Sequence, residues 1–154
     1  MPVPPLTLLV ITPLSGNDGL SLSPYSARGL DQTLEPILQN TMGRQVRRDI
    51  NGGMMDLTYD QFQKYMSTIT CTDQAAPAFR AAWLGQIVEV ACAAELNYLT
   101  STGSADRSEV SGSSRTEGDY TFYRPLLTMM ITNIKNSFLE WPSQYRWQID
   151  LQET

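Results

Sequence analysis

Period-two alternation narrows the fold of this sequence more than any other feature. Tyr145, Trp147, Ile149 and Leu151 alternate with Arg146, Gln148, Asp150 and Gln152. That is the pattern of an antiparallel strand with one face in a core and the other in water. Val88, Val90, Cys92, Ala94 and Leu96 alternate with Glu89, Ala91, Ala93 and Glu95; the alanines suggest close approach by another layer. A third run, Tyr120 to Ile131, puts Leu127, Met129 and Ile131 on one face. Pro125 divides it, which predicts a bend, a bulge or an edge. Met66 to Thr72, rich in Thr and Ile, reads as a further strand.

These runs predict an all-β fold: a single-domain antiparallel β-sandwich or barrel of roughly six to nine strands, with one or two short helices. The expected core is Val46, Leu57, Ile69, Val88, Val90, Leu96, Met129, Trp147 and Ile149. A chain of 154 residues buries about two-thirds of its unfolded surface, so this core needs neither metal nor disulfide. The helix candidate is Thr58 to Tyr65, with an N-cap and an acid in its first turn; the alanine-rich Ala75 to Ala82 is demoted by Pro77 and its shortness to a loop with at most one turn.

Asn51-Gly52 suits a two-residue type I′ turn. It pairs Ile50 with Gly53, Arg48 with Met55 and Val46 with Leu57, and sets Arg47 opposite Asp56. Gly52-Gly53 as the turn is the alternative, with a shifted register.

The chain divides into residues 1–22, an N-terminal arm or first strand, and residues 23–154, a β domain with a long polar loop at 100–118. Pro2, Pro4, Pro5 and Pro13 favour an extended N-terminus. Leu6 to Ile11 is too apolar to float in water. It either adds to a neighbour's sheet edge, with Leu6, Leu8 and Val10 as contacts, or forms the first strand of its own sheet. The 100–118 loop offers Arg107 and Arg115 as candidates to reach carboxylates on an adjacent chain.

The chain contains no histidine. That removes Ser-His-Asp and Cys-His nucleophile systems, His-ligated zinc and histidine pH switching. No glycine-rich stretch continues as Gly-Lys-Ser or Gly-Lys-Thr, so no phosphate loop is present. Glu89 and Glu95 share a strand face but lie about 20 Å apart at strand rise, too far for a glycosidase pair. We expect no catalytic residue, no cofactor and no metal. A net charge of −5 argues against a broad nucleic-acid surface, and the short N-terminal apolar run, interrupted by Pro13, is no membrane span. Cys71 and Cys92 read as buried reduced thiols or as a cross-strand disulfide. Trp83, Trp141 and Trp147 suit core and strand-end packing better than a glycan platform. Arginines outnumber lysines nine to two, a bias that reads either as a preference for interfacial pairs or as compositional drift of the genome.

Ser23 to Leu30 with Gln32 to Ile37, the Arg48 to Leu57 hairpin, Phe62 to Gln74, Trp83-Leu84-Gly85 leading into Val88 to Leu96, Ser111 to Glu117, Tyr123-Arg124-Pro125 and Trp147 to Leu151 form a series. Together they resemble small virion proteins of tailed bacteriophages, over most of residues 20–152. The resemblance implies a non-enzymatic structural protein of the tail or neck, made in the host cytoplasm and incorporated in the virion. It would act as a homo-oligomer and anchor other tail, neck or capsid proteins, with no nucleic acid and no membrane as partner. A capsid decoration or cement protein is the first alternative; a carbohydrate-binding β-sandwich is the second.

Overall fold

The computed structural model describes residues 8–14, 20–21, 30–37, 46–57, 63–74, 78–79, 82–141 and 143–154. These contain thirteen strand segments and no helix. They are β1 (Val10–Pro13), β2 (Leu20–Ser21), β3 (Asp31–Pro36), β4 (Val46–Arg48), β5 (Met54–Asp56), β6 (Tyr65–Asp73), β7 (Ala78–Phe79), β8 (Ile87–Ala91), β9 (Leu96–Leu99), β10 (Arg115–Glu117), β11 (Tyr120–Tyr123), β12 (Leu126–Leu139) and β13 (Gln144–Glu153). Every strand pair is antiparallel. A six-stranded sheet runs β1-β8-β12-β13-β6-β3, a three-stranded sheet runs β10-β11-β9, and β2-β7 and β4-β5 are separate pairs. The arrangement is sandwich-like and open, not a closed barrel.

The alternating residues form the core as expected. Ile69 and Cys71 of β6, Val88 and Val90 of β8, Leu127, Met129 and Ile131 of β12, and Trp147, Ile149 and Leu151 of β13 face one another on one side of the large sheet. Leu9 and Ile11 join them from the β1 end, and Leu30 and Leu34 pack on the rim from the β3 end. The sheet curls around this cluster. The Gln32 side chain of β3 accepts hydrogen bonds from the backbone N–H groups of Ala93 (2.7 Å) and Ala94 (3.3 Å), just beyond β8, and donates to Ser67 Oγ at 3.2 Å. Strands four places apart in the sheet order are thus tied by one amide.

Several expectations are corrected. The Val88 to Leu96 alternation is not one strand. It leaves the large sheet after Ala91, where Cys92 N–H donates to Pro125 O at 3.1 Å, and resumes as β9 beside β11. Pro125 divides β11 from β12, as anticipated. The strand total exceeds the expected range because this run splits and because pieces of two or three residues show no periodicity. Leu57 is 50% exposed and Leu96 half-buried, so neither is core; the Val46 side chain lies outside the described residues. Helix residues expected at 58–62, 75–77 and 80–81 lie outside the described residues, but Tyr65 begins β6 and Ala78–Phe79 form β7. Within 100–118, residues 115–117 form β10, and Glu109 bridges Pro125.

The β4–β5 register also differs. Val46 pairs with Asp56, Arg47 with Met55 and Arg48 with Met54. Arg47 therefore does not face Asp56, and Val46 does not face Leu57. The cause is Asp49. Its carboxylate accepts from Asn51 N–H (2.8 Å) and Gly53 N–H (2.7 Å), while Gly52 N–H donates to Asp49 O. This builds a three-residue loop, Ile50 to Gly52, with Gly52 at φ +82°, the left-handed position that such loops require.

Candidate assembly interface

The β4–β5 hairpin packs against no other strand among the described residues. Ile50 at its tip is 100% exposed, and Met54, Met55 and Leu57 are also exposed. The Asn51-Gly52 signal located the turn. The missed signal was the apolar Ile50 beside it, a residue type that a solvated turn does not need.

A second exposed region follows β12. Beyond Ile131 no strand of the described residues pairs with the edge of β12 that β8 covers higher up, and Lys135 to Leu139 are exposed throughout. Phe138 stacks on Tyr145 across the hairpin at 4.7 Å between ring centroids. Trp141, in the connecting turn, is 92% exposed, and Trp83, in the turn before β8, is 77% exposed. Only Trp147 of the three tryptophans is a core residue, which corrects the packing expected of the other two. Turns, unlike strands, carry no alternation to tell inside from outside. Gly85 N–H bonds Ile131 O, and Trp141 lies beyond Leu139, roughly 27 Å further along at strand rise. The two exposed indoles do not form one platform.

The third region is a row on the outer face of the large sheet. Leu14, Ile87 and Met130 are successive neighbours across β1, β8 and β12, and all are exposed.

Of the candidate contacts drawn from sequence, Leu6 lies outside the described residues. Leu8 and Val10 are exposed, while Leu9 and Ile11 between them are buried. Val10–Pro13 pair with β8 of the same chain, so this part of the N-terminus is an edge strand of its own sheet. Arg124 Nη1 donates to Leu8 O at 3.0 Å and fixes the approach to that strand.

Arg107 closes on its own chain. It donates through Nε and Nη2 to both carboxylate oxygens of Glu153 (2.7 and 3.3 Å), and through Nη2 to Gln63 O at 2.7 Å, with its guanidinium over the Tyr65 ring. Burial alone would lower the Arg107 pKa, but the Glu153 carboxylate holds it above the usual arginine value. A cleft of about 240 Å³ opens here, lined by Lys64 and Arg107 together with Asp56 and Asp106. Its mixed charge selects neither anion nor cation. Arg115 bonds Glu95 at 2.8 Å and also Glu117, and packs over Phe122. The Arg115 guanidinium holds the Glu95 carboxyl below its ordinary range.

Cys71 and Cys92 are buried free thiols, not a disulfide. Burial first, then the Asp73 charge, pushes Cys71 up to about 11; burial also pushes Cys92 up to about 11. Neither is a ready nucleophile. Among the described residues no cluster of His, Cys, Asp and Glu is placed to hold a metal, and no helix is long and apolar enough to cross a membrane. No protein-family model, no curated protein and no solved structure matches the chain.

Proposed function

We propose that this chain is a non-enzymatic structural subunit of a tailed-bacteriophage virion, working as a homo-oligomer in the tail or neck. The observation that carries the assembly reading is the β4–β5 hairpin. Two strands alone are marginal in water, yet among the described strands this pair packs on no other and carries Ile50, Met54, Met55 and Leu57 in solvent. Contiguous exposed apolar residues of this kind mark a surface that a partner covers. The virion assignment rests on the sequence resemblance. The sequence offers no histidine-based chemistry, and the buried thiols are protonated at neutral pH, so the surfaces are better suited to contact than to catalysis.

The test is to purify phage particles and identify the chain in them by mass spectrometry, then place it by electron microscopy of labelled particles. Ile50→Asp combined with Met54→Lys should give a folded protein that enters particles at reduced occupancy. Absence of the chain from purified particles defeats the virion reading. Label on the capsid shell moves the assignment to a decoration protein.

A further inference from the structure

We infer that copies of this chain join head to tail through β-strand addition, with β3 of one copy extending the sheet of the next along the open edge of β12. The inference rests on the homo-oligomer reading above and specifies its interface. β3 is the last strand of the large sheet, and β12 is open from Asn133 to Leu139 among the described residues.

The backbone parity of the two edges matches. Ile37 N–H donates to Lys64 O, so odd-numbered residues of β3 turn their backbone groups toward β6, and Gln32 and Leu34 turn theirs outward. Thr154 N–H donates to Thr128 O, so even-numbered residues of β13 face β12. Past the register shift between Ile131 and Asn133, those residues oppose Lys135, Ser137 and Leu139. Ile134, Asn136 and Phe138 are then the residues whose N–H and C=O groups point to the open edge. On both edges these residues also carry the side chains on the core face: Leu34 and Ile134 pack on the core, and Asn136 and Phe138 lie opposite Trp147 and Tyr145. The two edges can therefore share backbone bonds without turning either sheet over.

Strand direction matches as well. β3 runs antiparallel to β12 within the sheet, because β6 and β13 lie between them and every pair alternates. A copy placed beside another in the same orientation continues that alternation.

One register satisfies the side chains. Leu34 opposite Ile134 and Leu30 opposite Phe138 sets apolar against apolar on the core face; between them Gln32, whose amide stays on Ala93, Ala94 and Ser67, opposes the polar Asn136. On the outer face Thr33 opposes Lys135, and Asp31 and Glu35 flank that lysine diagonally, within reach of long side chains. Asp31 and Glu35 are exposed and form no salt bridge among the described residues; the same holds for Lys135 and Arg146, which line an outer-face hollow of about 280 Å³. Within one chain Gln32 lies level with Ile134, through Ile69 and Ile149. The proposed register thus displaces neighbouring copies by two residues, about 7 Å. Pro36, which has no N–H, falls beside Thr132, where the Gly85 N–H to Ile131 O bond ends the open edge.

The interface joins two different surfaces, so it closes rings or extends filaments. The test uses cysteine pairs, since Thr33 and Lys135 come together as a close non-hydrogen-bonded pair. The Thr33→Cys and Lys135→Cys proteins, mixed and oxidised, should give a covalent dimer that neither gives alone. The double variant should give a ladder. Charge reversal at Asp31→Lys with Glu35→Lys should weaken self-association about tenfold or more by analytical ultracentrifugation, and adding Lys135→Glu should restore it. If the wild-type protein self-associates but neither cross-linking nor charge reversal responds, this interface is wrong and the oligomer reading stands. A wild-type protein that stays monomeric at all concentrations overturns both.

Discussion

A carboxylate on β13 lies at the register shift in the longest strand pair. Asp150 accepts from Asn133 Nδ2 (3.0 Å) and Gln148 Nε2 (2.8 Å), and its backbone oxygen accepts from Thr132 Oγ1, at the point where the β12–β13 register shifts. Burial would raise its pKa, but the hydrogen bonds from Gln148, Asn133 and Thr68 outweigh it and hold the carboxyl below its ordinary range. A depressed folded-state pKa means stability that is present above the unfolded pKa and lost as pH falls through the folded one. We expect Asp150→Ala to cost about 1–3 kcal/mol near neutrality, with a smaller gap to wild type in urea titrations at low pH. A gap independent of pH would show that the carboxylate charge is not what stabilises the register shift. Trp147, 2% exposed, should cost on the order of 3–5 kcal/mol on truncation to Ala, read from the denaturant midpoint; no change would remove it from the core. Ile69, Val88, Val90, Met129, Trp147 and Ile149 were legible because alternation sorts a strand's two faces. Leu57 and Leu96 were not. Alternation says which residues share a face, not whether a core stands behind it, and these two sit at the end of the β4–β5 hairpin and on the small sheet.

Elements were legible where strands were long and local chemistry was simple. The runs Met66–Thr72 and Tyr145–Gln152 lie inside β6 and β13, whereas β12 continues past the end of its run at Ile131 to Leu139, and the β4–β5 register turned on one side chain. Asp49 caps two backbone N–H groups and replaces the two-residue turn with a three-residue loop. The 100–118 segment shows a different limit. Its composition reads as loop, yet the Arg107–Glu153 ion pair pins it to the end of β13 and the Glu109–Pro125 bridge pins it to the strand junction. Both partners are distant in sequence, so no local pattern reports them. Glu153 is largely buried and also accepts from Tyr65 N–H at 2.9 Å. Removing Arg107 leaves that carboxylate without its cation. We expect Arg107→Ala to cost about 1.5–3 kcal/mol and to speed proteolytic cutting within 100–118. Arg115→Ala breaks a more exposed, solvent-screened pair and should cost less than Arg107→Ala. Equal effects of the two substitutions would mean that Arg107 does not anchor the segment.

At the scale of the molecule, the sequence showed an antiparallel β protein but not which strands are neighbours. Apart from the β12–β13 hairpin, the order β1-β8-β12-β13-β6-β3 places adjacent strands far apart in the chain, and strand pairing at that separation leaves no local mark. The N-terminus illustrates the consequence. Leu6 to Ile11 read equally as an arm for a neighbour and as a first strand, because an apolar run flanked by prolines suits either. The pairing of Val10 with Ala91, Ile11 with Val90 and Thr12 with Glu89 places residues 10–13 in the chain's own sheet. Leu9 and Ile11 lie in the same core cluster as Val88 and Val90. Deleting residues 1–11 therefore removes two core side chains, each on the order of 2–4 kcal/mol, and exposes the edge of β8. Against a typical total stability of about 5–15 kcal/mol, that loss is large. We expect the deleted protein to unfold at a much lower urea concentration than wild type, or not to fold, with assembly lost as a consequence of folding. A deleted form with unchanged urea midpoint that still failed to assemble would reverse this. It would mean that Leu9 and Ile11 contribute little to the subunit's own core and that the segment's main contacts are made with another chain.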